Sequence, residues 1–219
     1  MKITKFLLTI PLYAKPLQLG LLVAAALTFL CEKATAQAPI DLGQATSFAV
    51  LAGAGITFAG PPNSTDITGD IGSYSTATIT GLEKVILVGV NHAGDTTTQQ
   101  AKTDLALAYT SASTLSATTT STTLDLGSET RAPGVYQATT TIGLSGTLTL
   151  DAGGNPAAVW VFQAGTALTT ATSSKIVLLN GAKASNIFWT IGSSATLGTY
   201  TEFAGTVMAY TSITLTTGV

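Results

Sequence analysis

The chain has 219 residues, enough for one sizeable domain with its own core. Hydrophobic residues stand at 46% and charged ones at only 9%, which excludes a disordered chain. Setting aside residues 1–36 removes Lys2, Lys5, Lys15, Lys33 and Glu32, leaving five basic against ten acidic side chains, a balance that argues against a nucleic-acid partner.

The first 36 residues read as a signal peptide. Lys2, Lys5 and Lys15 precede the apolar run from Leu17 to Leu30, and Ala34-Thr35-Ala36 supplies a small-x-small cleavage site. Cleavage after Ala36 makes Gln37 the mature N-terminus and the protein secreted, with no membrane association afterwards. The apolar run falls short of the roughly 18–20 residues of a spanning helix. The one cysteine, Cys31, follows Thr28-Phe29-Leu30 rather than the small residue a lipidation site wants. The mature chain, 37–219, is therefore expected to hold no disulfide and no cysteine-based metal site.

From Ser47 to Phe58 apolar positions are spaced by glycines, as in β structure with tight bends. Gly60-Pro61-Pro62-Asn63 is a loop, and Ile67-Thr68-Gly69-Asp70-Ile71-Gly72 and Thr76 to Gly81 resume the β pattern. Residues 101, 105, 108, 112 and 115 are apolar at helical spacing. They predict one helix over about 98–116, with Thr96 and Gln99, or Thr97 and Gln100, as a capping box. Ser121 to Arg131 reads as a loop, and Ala132-Pro133-Gly134-Val135-Tyr136 as the turn into a repeat region.

Threonine makes up roughly one residue in five, a bias toward strand formers, and it is densest in that region. Four segments each open on apolar or aromatic residues and close on one aliphatic: Ile142, Leu168, Leu197 and Leu215. In a strand alternate side chains share a face. If the aliphatics point inward, the outward rows are Thr141, Ala167, Thr196, Thr214; Gly143, Thr169, Gly198, Thr216; and Thr139, Gly165, Ser194, Ser212. None carries a charge. Several short strands per repeat indicate a β-solenoid whose inward residues form one continuous core.

Other candidate sites are poor. His92 reads as a solvated loop histidine. Asp66 and Asp70 flank Ile67-Thr68-Gly69 without a third carboxylate nearby, so turn chemistry explains them better than calcium. Arg131 sits at a turn entry, and Trp160 and Trp189 lie in apolar runs as core residues. No phosphate loop or nucleophile triad is present. The chain is expected to be no enzyme and to need no cofactor or metal.

The chain resembles the ice-binding proteins of the domain-of-unknown-function 3494 family. The resemblance is carried by Phe48 to Thr57, Ile67 to Gly72, Ala132 to Tyr136, Ala158 to Gln163, Ile176 to Gly181, Asn186 to Trp189, Gly192 to Gly198 and Thr211 to Gly218. It implies a mainly β fold: a right-handed, discontinuous β-helix of triangular section with one long α-helix packed alongside. It also implies a further C-terminal coil, truncated at Val219, and a monomer whose partner is the ice crystal surface. Relatives can carry a larger, disulfide-closed cap where this chain has the short loop at Gly60 to Asn63. The expected ice-binding residues are Thr139, Thr141, Gly143, Ala167, Thr169, Ser194, Thr196, Gly198, Ser212, Thr214 and Thr216. Outward rows of Thr and Ser also occur in solenoid adhesins and polysaccharide-binding proteins, which is the alternative function; a polysaccharide lyase ranks third.

Overall fold

The computed structural model describes residues 37–219, so the expected signal peptide, with Cys31, lies outside the described residues. The fold is a mainly β solenoid of parallel strands with one long helix. Its C-terminal part is three-sided. One side, the helix-side sheet, stacks Thr119–Ser121, Gly134–Ala138, Trp160–Ala164, Ile187–Ile191 and Thr206–Ala209 in that order. The second side stacks Leu124–Asp125, Ile142–Leu144, Ala167–Thr170, Ser194–Leu197 and Ser212–Leu215. The third stacks Glu129–Arg131, Thr147–Asp151 and Lys175–Leu179. Every pairing is parallel, because each strand meets its equivalent one coil on.

The segment expected to be a loop, Ser121 to Arg131, belongs to the first of these coils. Its strands are two and three residues long and polar, too short to show alternation. Arg131 is correspondingly in a strand. Glu129 and Arg131 pair with the buried Leu148 and Leu150, so they stand where core residues would. There they form an ion pair, and the guanidinium lies 5.0 Å from the Tyr136 ring centre. Charge thus closes the end of the core instead of leaving an apolar surface bare.

The interior is an aromatic ladder. Tyr136, Phe162 and Trp189 are register partners, with ring centres 5.5 Å and 4.1 Å apart. Trp160 and Trp189 are fully buried, as expected of core residues. The helix-side sheet is apolar on both surfaces: Val135, Val161, Phe188 and Met208 pack outward against Ala108 and Ala112 of the helix.

The helix spans Thr96–Ser113. Its apolar stripe buries Ala101, Ala108 and Ala112, with Leu105 and Leu115 partly covered. The start differs from the expected capping box, since Asp95 is the N-cap and its carboxylate accepts from the Thr98 N–H at 2.8 Å. An aspartate there also suits the positive end of the helix dipole. At the other end Gln163, reaching out of the helix-side sheet, donates to the carbonyls of Ala112 and Leu115 at 2.8 and 3.1 Å. These are carbonyls that a helix end leaves unpaired.

The N-terminal strands form separate sheets, in keeping with a discontinuous solenoid. Phe48–Ala52, Asp70–Ser73 and Asn91–Ala93 make one side, and Ile56–Thr57 with Ile79–Thr80 and Thr65–Thr68 with Val85–Val88 make the others. Their small core holds Ile56, Ile67, Ile71 and Val85.

Candidate functional site

The second side of the solenoid carries the candidate surface. Leu124, Ile142, Leu168, Ala195 and Ile213 are successive register partners. Ile142, Leu168 and Ala195 are fully buried, which fixes that row as inward. The next residue of each strand must point outward. That row reads Asp125, Gly143, Thr169, Thr196, Thr214. The residue before reads Ala167, Ser194, Ser212, with exposed Thr141 in line one residue ahead of its strand.

The rows therefore differ from those expected. Leu197 is a partner of Leu215 but not of Leu168, whose partner is Ala195. The expected alignment was shifted by two residues in the last two coils. Because strand side chains alternate with period two, such a shift keeps the face and changes only the neighbours. Thr196 and Thr214 thus stand beside Thr169 and Gly143, while Ser194 and Ser212 stand beside Ala167. The helix-side strands set this register: Ala138, Ala164, Ile191 and Ala209 are partners, and the inward residue of the second side follows each by four.

Four expected residues lie off the grid. Thr139 and Gly165 occupy the corner between the two sides, where Gly165 is required because an added Cβ would run into the Thr139 carbonyl. Gly198 lies past its strand, where an added Cβ would run into the Thr170 carbonyl. Thr216 turns back to the fold, its hydroxyl donating to the Leu197 carbonyl at 2.9 Å and lying 3.3 Å from the Thr199 hydroxyl.

The grid proper is short-chained and uncharged from Gly143 onward. Its hydroxyls have few competing partners: Ser212 donates to Ser194 at 3.0 Å, while Thr169, Thr196 and Thr214 are exposed. Partners on adjacent strands lie about 4.8 Å apart and alternate residues along a strand about 6.6 Å apart. Asp125 at the head of the outer row was missed, because its coil did not register as strands. Its carboxylate accepts from the Ser145 hydroxyl at 2.6 Å and the N–H groups of Gly127 and Ser145 at 2.9 and 3.1 Å. The Ser145 hydroxyl, then the Gly127 N–H, holds it below the usual carboxylate range.

The N-terminal strands repeat the motif once: Thr57 and Thr80 follow the partners Ile56 and Ile79, and the Thr80 hydroxyl donates to that of Thr57 at 3.3 Å.

His92 is not a solvated loop residue. It lies in the strand Asn91–Ala93, with Nδ1 2.9 Å from Asp95 and Nε2 3.5 Å from Asp70, its ring tilted against Phe48. The imidazole ties the N-terminal sheet to the helix cap. Asp70 opens the strand Asp70–Ser73, not a turn as expected, and accepts from the Val90 N–H at 2.9 Å, a structural contact. Among the described residues no group of three or more His, Cys, Asp or Glu could hold a metal, and no helix is long and apolar enough to cross a membrane.

Comparison with known proteins is consistent in all directions. A family model described as ice-binding-like matches residues 50–219. An ice-binding protein of Nostoc sp. (strain HG1) is 44% identical over 178 residues, covering 81% of this chain and 65% of the relative. Ice-binding protein 1 of Shewanella frigidimarina is 32% identical over 81% of this chain, which spans 23% of that protein's length. Among solved structures, an ice-binding protein from the Antarctic ascomycete Antarctomyces psychrotrophicus superposes with a TM-score of 0.78 at 43% identity, covering 82% of this chain and 87% of the other.

Proposed function

Because the chain belongs to the ice-binding-like family, we propose that it adsorbs to ice through the second side of its solenoid, with Thr141, Ala167, Thr169, Ser194, Thr196, Ser212 and Thr214 as the contacting residues. The observation that carries this is two adjacent outward rows, in register over three coils, with no charge and no side chain longer than threonine. A threonine hydroxyl holds a water while its methyl excludes one. The branched side chain is stiff at χ1, so the pattern exists before ice arrives and little rotamer entropy is lost on contact. Growth and recrystallisation are inhibited where the adsorbed protein pins the advancing surface. The chain acts as a monomer and without catalysis, and none of the seven contacting residues is aromatic, which favours ice over a glycan.

We place its action outside the cytoplasm, on the strength of the leader at residues 1–36. N-terminal sequencing of exported protein should begin near Gln37, and an intact Met1 there would overturn it. The adsorption itself is tested by ice growth in a cooled drop with purified residues 37–219. Shaped crystals and slowed recrystallisation are expected; round, freely growing crystals would reject the proposal.

A further inference from the structure

Resting on the ice-adsorption reading, we infer that Asp125 sets the limit of the outer row of the contact surface, confining that row to Thr169 onward. The outer row runs Asp125, Gly143, Thr169, Thr196, Thr214, so one end is a carboxylate, the next position a glycine and the last three are threonines. The carboxylate is exposed and immobilised by three donors from Ser145 and Gly127. An ionised carboxylate offers about four acceptor sites, so water completes its shell and takes its orientation from the charge, not from a lattice. Between it and Thr169 lies Gly143, where an added Cβ would be 3.6 Å from the Asp125 oxygen. The glycine sets no side chain between the two, so the water ordered by the carboxylate borders Thr169 directly. Lattice-matched water is therefore held only from Thr169 toward Thr214. The neighbouring inner row has no such break, since Thr141, Ala167, Ser194 and Ser212 are all neutral. The charge, then, shortens one row of a grid whose geometry would permit a longer one.

The test is Asp125→Asn, which keeps an acceptor oxygen for the Gly127 and Ser145 donors and removes the charge. Thermal hysteresis at equal protein concentration should rise above the parent, with the melting temperature held or slightly lowered. A folded Asp125→Asn with equal or lower activity overturns the inference, since a merely structural aspartate would give that result. If Asp125→Asn fails to fold, Asp125→Thr and Thr169→Asp decide instead. Asp125→Thr should gain activity, and Thr169→Asp, which moves a carboxylate into the contact, should lose most of it while melting as the parent does. Full activity in folded Thr169→Asp counts against the limit. Thr196→Tyr separates this from the parent proposal. Retained activity there rejects the whole contact surface, whereas loss there with no gain in Asp125→Asn rejects the limit alone.

Discussion

Two sides of the same coils face outward without the helix, and they are not alike. The second side presents Thr, Ser and Ala from Ala167 onward, whereas the third presents Thr147, Thr149 and Asp151 beside Lys175, Val177 and Leu179. Both are built from parallel strands of similar length around one interior, so the fold itself tolerates charge and bulk on an outward strand. The bareness of the second side is therefore not a requirement of the solenoid. It needs a separate cause, and contact with a surface that rejects hydrated charge supplies one.

The most drastic way to break the comparison is to remove what both sides share. Trp189 is fully buried, stacked on Phe162 with the Phe203 ring tilted against it. Trp189→Ala should cost about 3–5 kcal/mol and destroy both sides together, seen as a large fall in melting temperature. Next comes the contrast itself. Thr196→Tyr should abolish most ice activity at unchanged fold stability, within about 0.5 kcal/mol. Thr149→Tyr on the third side and Thr103→Tyr on the helix should leave activity near the parent. Equal losses from Thr149 and Thr196 would erase the distinction between the sides.

Much of this was legible beforehand because alternation is strong where strands are apolar on one surface. Ile142, Leu168 and the tryptophans announced the interior, and Thr169 and Thr196 announced the outward side. Register was harder. Ala195, a small inward residue between Ser194 and Thr196, carries no aliphatic signal, so Leu197 attracted the alignment that belonged to its neighbour. The first coil was invisible for a different reason: its strands are short and polar, and its core positions hold Glu129 and Arg131. The helix was plain from its stripe, but its cap at Asp95 and its anchor at Gln163 are contacts whose partners lie elsewhere in space or outside the periodic stretch.

Gln163→Ala sharpens the contrast at smaller scale. Losing the amide that serves the Ala112 and Leu115 carbonyls should destabilise by about 1–3 kcal/mol. Ice activity measured well below the melting transition should persist, because the helix lies on the side away from the contact. Loss of activity in a folded Gln163→Ala would mean that the helix shapes the threonine side.

The smallest expected effect is acid sensitivity, shared by the two open sides. Asp125 is held low first by the Ser145 hydroxyl, and Asp151 first by the Gly153 N–H and then the Asn180 amide. Depressed carboxylates stabilise the fold above their unfolded value of about 4. That contribution is lost as pH falls through the lower folded values. Melting temperature should thus hold from neutral pH to about 4 and decline below it, with a shallower decline in Asp151→Asn. A melting temperature that climbs on acidification would reverse the assigned sign.

The last coil offers one more handle. Ile213 and Leu215 are 46% and 58% exposed, although their partners Ala195 and Leu197 are buried. We propose that a further coil seats on that edge, and a chain extended by a segment able to do so should melt higher. An unchanged melting temperature would count against it.

The aromatic ladder has an optical consequence. The two tryptophans are the chain's only indoles, both sealed from solvent, each N–H donating to a carbonyl, of Arg131 and Ala204 respectively. Their emission therefore comes wholly from the interior and is blind to whatever settles on the threonine side. The molecule carries its own fluorophores for following its unfolding in a freezing sample, with no label added to the surface proposed to adsorb to ice.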